Sequence, residues 1–230
     1  MTVNDSDRLS KFVARQLPPH AVAAPGDCAI CISSMFFLRL LAGLVLFAEL
    51  PVPIYWLILH PAHRFWRTRI RAAFWTAGLT AWIAGGVLLF YFRAQLLAVT
   101  RPPVWMIVAG LLLIAVEPIT LRRVGRDLGG MRLVGHAELT GSGALEISGI
   151  YARLRHPRYS AMFCAVLGAC LIAGTPRLWI VAAAWWIVER FAIALEEREL
   201  LARFGEPYAA YRRRVPAFLP FRLWPRSREN

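Results

Sequence analysis

The sequence predicts an all-α, polytopic membrane protein with about five transmembrane helices and a cytoplasmic amphipathic C-terminal helix. Of its 230 residues, 58% are hydrophobic, and the mean hydropathy is +0.49. This is too apolar for a soluble domain of this size. The apolar stretches alternate with short polar segments that are rich in arginine, an arrangement typical of membrane proteins.

The charge of the chain is almost entirely arginine, because Lys11 is the only lysine in a chain of net charge +13. The arginines lie mostly between apolar stretches and in the tail, where they act as topology determinants. We therefore expect membrane lipids and no nucleic acid as partners. The first 34 residues lack a continuous apolar core, so no cleavable signal peptide is expected.

The N-terminal half divides into a tail and three spans. Residues 1–34 are expected to form a mobile tail, with a short helix over residues 8–17. Residues 36–59 are long enough to cross a bilayer, but Pro51 and Pro53 should kink or split this segment. Residues 72–92 and 104–121 are the second and third spans, so residues 35–121 form one membrane region.

The C-terminal region, residues 122–230, begins with a long polar segment that ends at residue 158. Residues 159–195 then predict a helical hairpin, with spans at 159–174 and 178–195. In the tail, apolar residues recur at steps of three and four, which predicts an amphipathic helix. Gly205 can end one helix and Pro207 can begin the next.

The predicted orientation follows from the loop at residues 60–71, which carries four arginines and no acid. Positive loops stay in the cytoplasm, so this loop, residues 122–158 and the C-terminus fall on that side. The N-terminus falls outside. The expected location is an integral membrane protein of the bacterial inner membrane.

The cysteines do not predict a metal site. Cys28 and Cys31 form one CxxC pair, and a lone pair is weak evidence for zinc. With an outside N-terminus these two thiols could instead form a disulfide. Cys164 and Cys170 lie in an apolar run and are expected to be inert. No glycine motif sits in a strand–helix context, so a soluble nucleotide-binding fold is not supported.

Two motifs carry a more specific signal than composition does. Residues 148–159 read SGIYARLRHPRY, and residues 196–220 read EERELLARFGEPYAAYRRRVPAFLP. An arginine cluster alone would indicate no more than a basic cytoplasmic loop. The two motifs, in this order across a helical hairpin, resemble the isoprenylcysteine carboxyl methyltransferase family of integral membrane enzymes. The similarity covers about residues 132–220.

The resemblance implies an S-adenosylmethionine site where the loop, the base of the hairpin and the tail meet. His156, Pro157, Tyr159 and Glu196 match the family by identity, whereas the match at His136 and residues 143–146 is positional only. The implied cofactor-binding residues are His136, Gly143, Ala144, Leu145, Glu146, Tyr151, Arg155, His156, Pro157, Arg158, Tyr159 and Glu196.

The chemistry of these residue types suits the cofactor. Arg155, Arg158 or His156 can meet its carboxylate with charge-assisted hydrogen bonds. Glu196 can accept a hydrogen bond from its ribose or ammonium group. Methyl transfer requires alignment and exclusion of water and needs no nucleophilic side chain. A plainer interpretation is that Glu196 pairs with a neighbouring arginine on the helix surface, which contributes little.

Glu189 and Arg190 are the candidate catalytic residues. Carboxyl-methylating relatives have an arginine one helical turn before Glu196, where this chain has Ala192. Glu189 lies about two turns before Glu196 and shares its face, whereas Arg190 does not. We therefore expect a lipophilic acceptor that is neutral or basic rather than a prenylcysteine carboxylate. The alternative is that Glu189 pairs with an arginine such as Arg93.

Other classes of function stay open from the sequence. Some membrane reductases carry a distantly similar C-terminal region and would require a nicotinamide cofactor. A non-catalytic membrane protein could retain the fold. A transporter is the third alternative, because Glu49, Glu117 and Glu189 lie within predicted spans. The sequence leaves the acceptor and the oligomeric state open.

Overall fold

The structure, a computed structural model, describes residues 29–59, 71–97, 102–129 and 144–218. Residues up to Phe37 form one unit, and residues from Leu38 onward form a second unit that contains the candidate site. Residues 1–28, which include the predicted short helix, and most of the arginine-rich loop at 60–71 lie outside the described residues. The predicted end of the mobile tail at residue 34 is wrong, because residues 29–34 are already helical and begin the first helix.

Every regular element in the described residues is helical, as predicted. In chain order the α-helices are α1 (Ala29–Glu49), α2 (Val52–Leu59), α3 (Arg71–Tyr91), α4 (Arg93–Leu96), α5 (Val104–Leu128), α6 (Pro157–Ala173), α7 (Pro176–Phe204) and α8 (Glu206–Arg214). A single turn of 3-10 helix, Gly149–Ala152, precedes α6.

The two prolines split the first predicted span, as expected. Helix α1 ends at Glu49 and α2 begins at Val52, because proline lacks the N–H that a continuing helix needs. The break is short: the Tyr55 N–H donates to the Pro51 carbonyl at 3.0 Å. Pro51 and Pro53 are fully buried against the rest of the bundle.

Two helices run further than the sequence predicted. Helix α5 passes the expected end of the third span at residue 121 and continues to Leu128, with Pro118 inside it. Helix α7 is continuous from Pro176 to Phe204, so Glu196 belongs to the same helix as the last span. Hydropathy marks the end of the apolar stretch, whereas a helix can continue into water when other segments pack against it.

Candidate membrane spans occur in the described residues with the length and hydropathy expected. Three long apolar segments, Met35–Ile58, Val104–Leu128 and Pro176–Phe204, are long enough to cross a bilayer, and Gly78–Tyr91 and Pro157–Ala173 are shorter apolar helices. Large apolar side chains such as Leu79, Phe90 and Leu112 are more than half exposed, as lipid-facing residues are. This supports a polytopic membrane protein; the number of five spans stays a prediction.

Helices α5 and α6 are the most closely packed pair, and two glycines set their separation. A Cβ atom at Gly110 would lie 2.8 Å from the Gly168 carbonyl oxygen, and one at Gly168 would lie 2.5 Å from the Gly110 carbonyl oxygen. Because helices in a bilayer associate largely through close packing, small residues at such a crossing allow the backbones to touch. The crossing holds the start of α6, and with it the polar loop, against the end of α5.

The first prediction concerns this crossing. Replacing Gly168 with alanine should force α5 and α6 apart, because the nearest atom is backbone and cannot rotate away. We expect a loss of roughly 1–3 kcal/mol, the usual cost of overpacking, measured as a lower melting temperature in detergent. The control is Ala183→Leu on the exposed face of α7, which adds more atoms and should change the melting temperature little. Equal melting temperatures for the Gly168 variant and the unaltered chain would contradict the proposed packing.

Candidate active site

The polar loop before α6 is held by the end of α5. The backbone N–H of Ile150 donates to the Asp127 carboxylate at 2.9 Å. Gly149 has a φ of 54°, and a side chain there would collide with that carboxylate, so the turn requires glycine. The seven helical residues beyond the predicted end of the third span therefore have a role, because they carry Asp127 to the loop.

Glu197 is the centre of the site's hydrogen-bond network. Its Oε1 accepts from the Arg155 Nη2 at 2.8 Å and the Arg155 Nε at 3.1 Å. The same oxygen lies 3.0 Å from the His156 Nε2. The Glu197 side chain is 12% exposed, so these charge-assisted bonds are largely shielded from water. They join α7 to the loop that precedes α6.

Arg155 also fastens the C-terminal tail to the loop. Its Nη1 donates to the carbonyl oxygens of Arg212 and Val215, each at 2.7 Å. Its backbone N–H donates to the Pro216 carbonyl at 2.9 Å, and the next N–H, of His156, donates to the Ala217 carbonyl at 3.0 Å. The tail is thus held against the loop by both backbone and side-chain hydrogen bonds.

Two tyrosines of α8 pack under this connection. Burial raises the pKa of the Tyr211 phenol to about 12, so its hydroxyl stays protonated at neutral pH and donates to the Tyr151 carbonyl at 2.8 Å. Burial, reinforced by the Glu197 and Glu196 carboxylates, also raises the pKa of Tyr208 above its usual value. Both phenols are therefore neutral hydrogen-bond donors.

A cavity lies where the loop, the start of α6, the end of α7 and α8 meet. Within it the Tyr159 hydroxyl donates to the Glu196 carboxylate at 2.7 Å. The cavity has a volume of about 120 Å³, and its lining combines aromatic, apolar and charged residues from six segments of the chain: Trp56, Val124, Leu128, Leu145, Glu146, Tyr151, Arg155, His156, Pro157, Arg158, Tyr159, Glu196, Leu200, Phe204, Tyr208 and Tyr211.

The Tyr208 hydroxyl is an orphaned donor in this lining. It is buried, and no hydrogen-bond partner for it exists among the described residues. A buried polar group without a partner costs about 1–3 kcal/mol. The cavity therefore offers a hydrogen bond that a bound ligand can accept.

A second cavity of about 310 Å³ adjoins the first between α2 and α3. Trp56 and Arg158 line both cavities and form their common wall. Arg158 lies within electrostatic reach of three carboxyl groups from different helices, Glu49, Glu117 and Glu189. The three predicted intramembrane acids are thus brought together beside one guanidinium.

The structure gathers most of the predicted cofactor residues around one cavity. Leu145, Glu146, Tyr151, the run from Arg155 to Tyr159, and Glu196 all line it. Ala144 is exposed and is not part of the lining. His136 and Gly143 lie outside the described residues. The binding roles of these residues stay predictions.

The expected roles of Arg155 and His156 differ from what their contacts indicate. The sequence suggested that either could meet a cofactor carboxylate, but both side chains bind Glu197 instead. They position the loop and the tail. Among the three basic residues considered, this leaves Arg158 as the cavity-lining group that does not bind Glu197.

The two candidate catalytic residues are neighbours on α7, but their side chains point in different directions. Glu189 is fully buried and lies within electrostatic reach of Glu196 and Arg158. This agrees with the prediction that Glu189 and Glu196 share one face of the helix. Arg190 is exposed and places its guanidinium 4.6 Å from the centre of the Phe218 ring, away from the cavity lining. The alternative, a pair between Glu189 and Arg93, is not supported, because neither Glu189 oxygen has a hydrogen-bond partner among the described residues.

Several residues of the site were missed by sequence reasoning. The apolar stripe of the tail predicts an amphipathic helix without specifying what its apolar face contacts, and in the structure Leu200, Phe204, Tyr208 and Tyr211 line the cavity. The spacing of these residues at steps of three and four indicates an apolar helix face. It does not specify the surface against which that face packs. Trp56 comes from a distant helix, and nothing in the sequence connects it to the two motifs.

Comparison with known proteins finds one matching family model and several curated relatives. Residues 105–206 match the family model described as phospholipid methyltransferase. The curated protein-S-isoprenylcysteine O-methyltransferase of Rattus norvegicus is 34% identical over 120 residues, which is 51% of this chain and 42% of that protein. The human enzyme of the same name is 32% identical over 120 residues, again 51% and 42%. The Xenopus laevis protein is 28% identical over 150 residues, 63% and 49%.

These matches confirm the predicted resemblance to integral membrane methyltransferases. The stretch matched by the family model contains the loop motif and the Glu196–Glu197 pair. The matched regions span less than half the length of these curated relatives. No solved structure is significantly similar to this chain.

The second prediction tests the role of Arg155 as a positioning residue. Replacing it with lysine should release the tail, because one ammonium cannot reach Glu197 and the two carbonyl oxygens together. We expect a loss of about 1–3 kcal/mol and faster hydrogen exchange in α8. The control is Arg213→Lys, in an exposed pair with Glu206, which should have little effect. Unchanged protection of α8 in the Arg155 variant would show that the tail is held by other contacts.

Proposed function

We propose that this chain, which is similar to the phospholipid methyltransferase family over residues 105–206, transfers a methyl group from S-adenosylmethionine to a lipophilic or membrane-resident acceptor. One observation carries the proposal. The two sequence motifs, separated by a helical hairpin, converge on a single cavity through Glu196 and Glu197. The residues of that cavity are the chemical types that this cofactor needs.

The lining fits the cofactor on its donor and acceptor chemistry. Glu196 would accept hydrogen bonds from hydroxyl or ammonium groups, and Arg158 would meet a carboxylate. The orphaned Tyr208 hydroxyl would donate to the cofactor. Tyr151 and Phe204 supply aromatic faces for the adenine or the sulfonium. A volume of about 120 Å³ encloses only part of such a molecule, so the rest would extend past these walls.

When bound, the cofactor supplies a methyl group that is already activated by the adjacent positive sulfur. The chain therefore has to bind, orient and exclude water. Tyr159 fixes one oxygen of Glu196 at 2.7 Å, which sets the direction of that carboxylate. Glu197, Arg155 and His156 hold the loop and the tail over the cavity and keep its charged lining in place.

The third prediction tests the cofactor site. Changing Glu196 to Gln should remove its negative charge while keeping its shape, and changing His156 to Ala should loosen the loop. Each should weaken the binding of S-adenosylhomocysteine by at least about tenfold, or about 1.4 kcal/mol, in calorimetry on detergent-purified protein. The matched control is Glu206→Gln, an exposed carboxylate outside the cavity, which should bind like the unaltered chain.

The same calorimetry separates this function from the alternatives. Binding of NADPH in place of S-adenosylmethionine would indicate a reductase. Absence of binding for both would indicate a non-catalytic membrane protein. If both variants bind S-adenosylhomocysteine with unchanged affinity and have unchanged melting temperatures, this cavity is not the cofactor site.

We also propose that the chain lies in the bacterial inner membrane with its C-terminus, and therefore the cavity, on the cytoplasmic side. The arginine-rich loop at residues 60–71 supports this orientation. A soluble cofactor would then enter from the cytoplasm, and an acceptor dissolved in the bilayer would enter between helices.

The fourth prediction tests this orientation. In a variant without Cys164 and Cys170, an impermeant thiol reagent should label Cys28 or Cys31 on intact cells after reduction. A fluorescent protein fused to the C-terminus should fluoresce in the cytoplasm. Labelling that requires lysis would place the N-terminus inside, and the segment with Pro51 and Pro53 would then be re-entrant or a doubled span.

A further inference from the structure

Phe218, the last residue of the tail that the structure describes, packs its ring against both helices of the hairpin. The ring stacks on that of His156, which directly precedes α6, with centroids 5.8 Å apart and an angle of 28° between the planes. It also meets the Trp186 ring of α7 edge to face, with centroids 5.4 Å apart. One side chain of the tail thus contacts the start of α6 and the middle of α7.

Arg190 adds a charge to this contact. It lies one helical turn after Trp186 on α7, and its guanidinium carbon is 4.6 Å from the centre of the Phe218 ring. A cation within about 6 Å of a ring centre is attracted to the ring face. Arg190 forms no salt bridge with a residue that the structure describes. An arginine in the apolar stretch of a span is costly without compensation, and the Phe218 ring provides it.

The segment that ends at Phe218 also fixes the far end of α8. Helix α8 is joined to α7 at Gly205, and two of its tyrosines line the first cavity. Beyond α8 the chain returns to the loop, where the backbone N–H of His156 donates to the Ala217 carbonyl. The next residue, Phe218, packs on the side chain of that same histidine. Release of Phe218 would therefore loosen the end of α8 and with it one wall of the cavity.

The His156 ring connects Phe218 to the charged residues of the site. Its Nε2 lies 3.0 Å from the Glu197 Oε1. The ring is also 5.6 Å, between centroids, from the ring of Tyr159, whose hydroxyl donates to the Glu196 carboxylate. His156 is buried, and a side chain in a close-packed interior cannot turn unless its neighbours move. The position of the Phe218 ring therefore bears on both carboxylates.

We propose that Arg190 and Phe218 are positioning residues for the methyl donor: their contact holds the tail against His156 and keeps α8 closed over the first cavity. This assignment rests on the proposed methyltransferase function. The cavity of about 120 Å³ encloses part of the cofactor, and α8 is the part of its wall that the contact fixes. Closure of α8 over the bound cofactor slows both its entry and its release. Arg190 acts through Phe218 and does not touch the reacting atoms.

The test measures the rates at which S-adenosylhomocysteine binds to and leaves the purified full chain, by stopped-flow. Phe218→Leu removes the ring, and Arg190→Gln removes the charge at an exposed position. Each should raise both the association rate and the dissociation rate about fivefold, so that the affinity changes less than either rate. The double variant should behave like either single variant, because both substitutions break the same contact. Phe218→Tyr keeps the ring and should match the unaltered chain.

Arg93→Gln is the matched control. The Arg93 guanidinium lies 4.0 Å from the centre of the Phe90 ring, which is the same type of contact, and neither residue lines the first cavity. Both rates should equal those of the unaltered chain. Hydrogen exchange in α8 provides a second readout that needs no cofactor. It should be faster in Arg190→Gln than in Arg93→Gln.

Unchanged rates in Phe218→Leu and Arg190→Gln would overturn the proposal. A rise confined to the dissociation rate would also overturn it, because the contact would then stabilise the bound state without closing the entrance. Additive effects in the double variant would show that the two residues act separately, which contradicts a shared contact. Failure of the proposed methyltransferase function is a separate result: the unaltered chain would not bind S-adenosylhomocysteine, whereas the difference in hydrogen exchange would persist.

Discussion

The ion pair between Glu197 and Arg155 is the interaction on which the site depends. It joins three segments that are far apart in the chain: the end of α7, the loop before α6, and the tail after α8. Helix α8 has only nine residues, and a helix of that length is marginal in water unless it packs against something. Arginine suits this position because its planar group donates several bonds in fixed directions, two of them here to backbone carbonyls of the tail.

A second constraint is the cost of charge inside a membrane. Glu49, Glu117 and Glu189 come from three segments with the length and hydropathy of spans, and acids at such depth are expensive unless they are paired. The structure brings them together beside Arg158, which begins the polar end of α6. One guanidinium can compensate the charge of at most one of the three carboxyl groups.

The residues matched by the family model line one of the two cavities much more than the other. The matched residues, 105–206, include Arg158, Tyr159, Glu196 and most of the lining of the first cavity. Apart from Arg158, every residue that lines the second cavity, between α2 and α3, precedes residue 105.

The sequence by itself determined the helical class, the break at Pro51 and Pro53, and the two motifs that meet at the cavity, because each depends on local composition or on residue identity. It did not determine which of the adjacent carboxylates, Glu196 or Glu197, binds the loop, since neighbours on a helix point about 100° apart and pairing depends on what packs there. The partner of Arg155, the inward packing of Tyr208 and Tyr211, and the meeting of Trp56 with Arg158 were likewise decided only by the tertiary structure. These contacts join segments that no sequence periodicity connects, and packing of separate helices alone brings them together.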